Sequence, residues 1–289
     1  MADKIKKRHR GSPGWALFLA WLSTLLLTAL ALLLTLLTTI CSESFMRKQV
    51  ARSHFADYAY SYLYDNFVSY GSSTGFEEDV ITSTISREQI NADMEQAVTD
   101  LYAGNTEVNA RENVKREIND VLLADLASRG KDVTEDVSSA VEIVADACRL
   151  DYANYVAIPL ASQLYTVITK IERLLLPGMV GTAVLCAAAL FLMIRLAGGS
   201  RFGVRCLTFT FLASALLCTL GATVLYPLLG LDNFSLEPAS IRALVLTYLQ
   251  NMFGSLGIFA AIYALIALIL LALMFTAHHQ LKRHYKQKP

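Results

Sequence analysis

The stretch WALFLAWLSTLLLTALALLLTLLTTI, residues 15–40, runs for 26 positions without a charged residue. Hydrocarbon about 30 Å thick takes roughly 20 apolar residues of helix to cross, so this segment is long enough to span a bilayer. Three more apolar stretches follow at 174–197, 204–229 and 253–277. None has a charge in its interior, and Arg195 lies one turn from the end of the second, where its side chain can snorkel to water. The charges are sorted by what separates these stretches. Residues 1–14 carry +4, 41–173 carry −10, the turn around 198–203 with Arg195, Arg201 and Arg205 carries +3, 230–252 carry −1 and 278–289 carry +4. Short loops rich in Lys and Arg stay in the cytoplasm, which predicts a multi-pass protein of the cell membrane with both termini inside.

The first span differs from a cleaved signal peptide, whose apolar region is about 7–15 residues and ends on small residues. Here it ends Thr38, Thr39, Ile40, Cys41, and Ile40 is a poor residue before a lipid-modified cysteine. An uncleaved signal anchor is expected. Ionisable residues at mid-membrane are usual in ion-coupled carriers, and these spans have none. Small residues at helical spacing, Ala183 with Ala187, Ser214 with Cys218 and Gly257 with Ala261, mark where the spans are expected to pack.

Residues 41–173 are long enough for a core of their own, and their pattern is helical. Ser86 opens a capping box with Gln89, and Ile90, Met94, Val98 and Leu101 follow on one face until Gly104. Asn109 and Glu112 repeat the start signal before Val114, Ile118, Val121, Leu122 and Leu126, with Gly130 as the stop. Thr134 begins a third run through Val137, Val141, Val144, Cys148 and Tyr155 up to Pro159. The segment 160–176 keeps Leu164, Ile168, Ile171 and Leu175 in phase and is expected to run into the second span, which Pro177-Gly178 would open. A further helix is expected to extend the first span through Phe55, Tyr58, Tyr62 and Phe67. After Pro238, the residues Ile241, Leu244, Val245, Tyr248 and Leu249 predict an amphipathic helix at the outer interface or under the bundle. The predicted fold is therefore all-α: four transmembrane helices plus an extracytoplasmic up-and-down helical bundle inserted between spans 1 and 2.

Tyr58, Tyr60, Tyr62 and Tyr64 alternate at period two, the mark of a strand. Helix is favoured because the segment continues a span and a lone strand has no partner. With Tyr70 these tyrosines form the candidate partner-binding surface, for a glycan or a partner protein; core packing and an aromatic girdle near the headgroups are the plainer reading.

No chemistry is legible elsewhere. Glu77, Glu78 and Asp79 do not supply the six to eight oxygens calcium takes. His278, His279 and His284 sit among Lys282, Arg283, Lys286 and Lys288, a basic tail suited to lipid. The five cysteines have no pairing logic, and a disulfide between Cys41 and Cys148 is not expected, which suits a bacterial envelope protein. Asn233-Phe234-Ser235 matches a glycosylation sequon that a bacterial chain would not use. No P-loop, HExxH, GxSxG or paired-cysteine zinc spacing occurs, so no enzyme, cofactor, metal or nucleic-acid partner is expected.

The order of one span, a large outward domain and three spans resembles the permeases of the macrolide-exporter and cell-division ABC families. That likeness is one of topology alone; the outward domain of those permeases mixes strands with helices, whereas residues 76–173 here read as helix. The run VITSTISREQINADMEQAVTDLYAGN, residues 80–105, with a second amphipathic helix after it, is similar to uncharacterised bacterial four-span proteins with a helical first outward loop. Three functions are compatible with this reading. The favoured one is a non-enzymatic envelope protein whose outward domain binds a partner protein or a second copy, or senses an external condition. The second is a permease-like subunit working with an ATPase. The third is a small-molecule or lipid-handling protein with a groove lined by Ser23, Thr24, Thr28, Thr208, Thr210 and Tyr263.

Overall fold

The computed structural model describes residues 13–105, 112–158, 160–197, 200–230 and 236–286. Asn109, Pro159, Gly198-Gly199 and the sequon lie outside them, as do the basic residues before position 13 and the side chains from 277 onward. Among the described residues the chain is helical, without a strand. The helices are α1 (Pro13–Thr39), α2 (Glu43–Arg52), α3 (Phe55–Thr74), α4 (Glu78–Thr82), α5 (Arg87–Ala103), α6 (Glu112–Ser128), α7 (Glu135–Tyr155), α8 (Ala161–Leu196), α9 (Ser200–Leu228) and α10 (Ala239–Lys286). Four of these, α1, α8, α9 and α10, are long and apolar enough to cross a membrane, the build of a multi-pass membrane protein. The chain divides into two units, one of 1–39, 171–231 and 250–289, the other of 40–170 and 232–249.

In the first unit, Leu27, Ala31, Cys186, Ala215, Cys218, Ala260 and Tyr263 form the centre, while Leu174, Leu185, Phe209, Leu216, Ile258 and Leu268 point outward. Apolar side chains left on the outside are what hydrocarbon would cover. Helix α1 packs on α9 along a stripe of small residues. Thr210 Oγ1 lies 3.4 Å from the Ala20 carbonyl and Ser214 Oγ 3.3 Å from that of Thr24, and Tyr263 donates to the Leu27 carbonyl at 2.9 Å. Such bonds hold helices together where lipid gives no hydrophobic drive. Only one expected small-residue pair, Ser214 with Cys218, is buried in full. On α8 the inward residues are Cys186, Ala189 and Met193 rather than Ala183 and Ala187. On α10 they are Leu256, Ala260, Tyr263 and Ala267 rather than Ala261. A helix apolar on every side does not announce its inner face.

The second unit has an aliphatic and aromatic core drawn from α2 to α7, with Ile158 and Leu244. Ile90, Met94, Val98 and Leu101 of α5 point into it, as their spacing predicts. So do Val114, Ile118, Leu122 and Leu126 of α6 and Val141, Val144 and Cys148 of α7. Ser86 Oγ accepts from the Gln89 N–H at 3.1 Å and Thr134 Oγ1 from that of Val137 at 3.4 Å, capping α5 and α7. Tyr152 is fully buried and donates its hydroxyl to Asp93 Oδ2 at 2.7 Å, so burial leaves no donor unmet.

Four sequence expectations are corrected. The first span does not continue upward: α1 stops at Thr39, and Ser42, extended at φ −112°, caps the new helix α2 by accepting from Phe45 N–H. A second break follows at His54, which is left-handed at φ 54°. The core face of α3 is Phe55, Ala59, Leu63, Phe67 and Gly71, a ladder of four-residue steps, so Tyr58 and Tyr62 stand outside it. Pro177 lies inside α8 rather than at its start; it removes one backbone donor, which the long helix around it tolerates. The segment after Pro238 is not a separate helix but the beginning of α10, whose Leu244 is 3 % exposed and enters the second unit's core.

Candidate functional site

Successive helical residues turn by 100°, so a period-two run of tyrosines on α3 splits into two pairs on different sides. Tyr60 and Tyr64 form one pair, with ring centroids 5.9 Å apart and both rings against the core. The Arg87 guanidinium lies 4.7 Å over the Tyr60 ring, and its Nε pairs with Asp57 Oδ1 at 3.1 Å. Tyr64 donates its hydroxyl to Glu78, which pushes the phenol up to about 12. These two rings tie α3 to the start of α5 and to α4.

Tyr58 and Tyr62 form the other pair and remain 50 % and 42 % exposed. Tyr62 stacks on Tyr155 at the end of α7, with centroids 3.8 Å apart and planes at 22°. Burial, followed by the neighbouring Tyr62 hydroxyl, raises the Tyr155 phenol. One turn further along α3, Asp151 accepts from Tyr70 Oη at 2.8 Å and from Asn66 Nδ2 at 3.0 Å through the same oxygen, Oδ2. The hydrogen bond to Asp151 raises Tyr70 to about 12. Burial, then Asp151, pushes the Cys148 thiol up to about 12.

The structure therefore divides the five candidate tyrosines. Tyr60, Tyr64 and Tyr70 are structural ties between helices, and Tyr58 and Tyr62 are left on the surface. Tyr155, read in the sequence as part of a core face, does pack partly buried against the core, and its ring also backs Tyr62. Asp151 and Asn66 carried no signal in the sequence, since a lone acid in an acidic segment looks like a solvated one. The four-residue spacing of Tyr58 and Tyr62 was the available clue, hidden by the more conspicuous alternation.

The other candidates have local partners. Glu77 pairs with Arg129 at 3.4 Å and Glu78 takes the Tyr64 hydroxyl. Among the described residues no group of three or more His, Cys, Asp or Glu could hold a metal ion. Cys148 is buried, and none of the five cysteines is in a disulfide. In the membrane-type helices, Thr24, Thr28, Thr208 and Thr210 bond to carbonyls four residues back on their own helices, at 2.9–3.0 Å, the ordinary behaviour of such hydroxyls. Ser23 is the exception, buried with no partner for its Oγ. No family model, curated protein or solved structure matches the chain.

Proposed function

We propose that this chain is a non-enzymatic integral membrane protein of the cell envelope, with both termini in the cytoplasm, whose helical unit lies outside and binds a protein partner through Tyr58 and Tyr62. The observation that carries the reading is the exposed Tyr58–Tyr62 pair with Tyr155 stacked behind it. Tyrosines are enriched at binding hot spots because they bring large rigid area with a polar tip. A ring held by a stacked neighbour has already lost part of the freedom that binding would otherwise remove. The charge pattern supports the orientation, with Lys and Arg concentrated in residues 1–14, around the α8–α9 junction at Arg195, Arg201 and Arg205, and in residues 278–289.

A photoreactive residue in place of Tyr58, with the same residue in place of Ser139 as an exposed control, tests the proposal in intact cells. A discrete adduct is expected from position 58 and not from 139, and it should be lost when Tyr62 is replaced by Ala. The same adduct from both positions, or none from position 58, would overturn the surface assignment. A reporter fused after Pro289 that is active outside would overturn the orientation.

A further inference from the structure

Helix α2 is a basic island in an acidic unit. Its ten residues hold Arg47, Lys48 and Arg52 against the single acid Glu43, whereas residues 41–173 as a whole carry −10. Buried Gln49 and Val50 anchor the helix, and Thr99 donates to Glu43 Oε1 at 2.8 Å, engaging its only acid with α5. Ser44, Arg47, Lys48 and Ala51 fall at helical positions i, i+3, i+4 and i+7, and all four are exposed.

Together with Glu95 of α5 these four residues line an open niche of about 300 Å³. Arg47 Nη2 is fixed by Glu95 Oε2 at 2.8 Å, and Glu95 Oε1 in turn accepts from Asn91 at 2.9 Å. A guanidinium has five N–H donors, so this bond orients Arg47 and leaves donors for a ligand. Lys48 makes no ion pair among the described residues. Glu95 brings the niche to a net charge of one, with two cations against one carboxylate, the complement of a singly charged phosphodiester rather than of a phosphate dianion. Lys48 follows Thr39, the last residue of α1, by nine positions. Three residues, 40–42, join α1 to α2, so the chain itself keeps the start of α2 close in sequence to the end of a membrane-crossing α1, where headgroups would lie.

We propose that the α2 niche binds the phosphodiester of an acidic phospholipid, with Lys48 and Arg47 as its cationic ligands and the Ser44 hydroxyl as an additional donor. The site serves to seat the helical unit on the bilayer and is separate from the Tyr58–Tyr62 surface.

The test uses the full chain in proteoliposomes, because the basic termini also attract anionic lipid and a local readout is required. A photoreactive benzoylphenylalanine in place of Ala51 reports lipid at the niche, read by mass spectrometry of the α2 peptide. Phosphatidylglycerol vesicles should give a lipid adduct several-fold more abundant than phosphatidylcholine vesicles. Lys48→Gln should lower it about fivefold, the effect of one basic residue near an anionic surface. Lys131→Gln, exposed elsewhere on the same unit, should leave it unchanged. Lys48 makes no ion pair among the described residues, so its replacement leaves the fold intact, as circular dichroism should verify. Equal adducts from the two lipids, a Lys48→Gln adduct equal to that of the parent, or an equal fall with Lys131→Gln would each overturn the site. Loss of the adduct on adding inorganic phosphate, but not chloride at matched ionic strength, would overturn the lipid as its source.

Discussion

Gly104→Ala tests how the helical unit is held together, because two separable costs meet at that residue. Gly104 ends α5 at φ +83°, with its N–H on the Leu101 carbonyl and that of Asn105 on the Asp100 carbonyl, the closing turn that a left-handed residue allows. A side chain in that conformation costs about 1–2 kcal/mol. A Cβ there would also stand 3.0 Å from Cζ and Oη of Tyr165, so the ring must yield; overpacking of this kind costs about 1–3 kcal/mol. Gly130, at φ +69°, has nothing within 4 Å of an added Cβ and so isolates the backbone term. Gly130→Ala is therefore expected to cost about 1–2 kcal/mol and Gly104→Ala about 2–5 kcal/mol. In a Tyr165→Ala background the two should converge, the difference being the coupling between neighbouring residues. Cys148 supplies the assay, since it is fully buried in the same unit. Its rate of alkylation in the full-length protein, followed on the Cys148 peptide by mass spectrometry, reports opening of the core. Each 1–2 kcal/mol should raise that rate by about 5- to 30-fold. Equal rates for Gly104→Ala and Gly130→Ala, or a difference that persists without the Tyr165 ring, would refute the reasoning.

Four other outcomes are expected. A thiol reagent that cannot cross membranes should leave Cys148 unmodified in the native protein but label a cysteine placed at exposed Ser139 from outside the cell. Tyr58→Ala should shift stability by no more than about 0.5 kcal/mol in a thermal melt, because the ring is half exposed. The phenols of Tyr64 and Tyr70 sit near 12 in the folded protein, above the ordinary value of about 10. Their stabilising effect is complete below pH 10 and is lost as pH rises toward 12, so Asp151→Asn should flatten that part of a circular-dichroism titration. Tyr263→Phe removes the bond to the Leu27 carbonyl and should weaken the membrane-type unit in a detergent unfolding titration by about 0.6 kcal/mol, the typical worth of such bonds.

Much of the architecture was legible because it follows from patterns with a single physical origin. Four uncharged stretches of more than 20 residues can hardly be anything but helices in lipid, and α5, α6 and α7 have polar and apolar faces that differ enough to fix their orientation. Legibility failed in two places. In α3 the small residues Ala59 and Gly71 complete the core ladder, and the large tyrosines beside them drew the eye to the wrong face. In α8 and α10 the apolar character extends all round the spans, so no sequence contrast separates the packed side from the side left to lipid.

The sequence by itself determined the helical class, the number of membrane-type helices, the division of charge and the caps at Ser86 and Thr134, because each is a local property of neighbouring residues. Only the tertiary structure decided that Ser42 starts a new helix and that Leu244, far along the chain, belongs to the core of the second unit. It also decided which tyrosines are ties and which are surface. Asp151 lies 81 residues from Tyr70 and Tyr155 on a different helix from Tyr62, while Glu78 and Arg87 come from the helices that follow α3. Whether a tyrosine is held or left exposed depends on the arrival of such partners, and their arrival is settled by packing rather than by anything in the run of tyrosines itself.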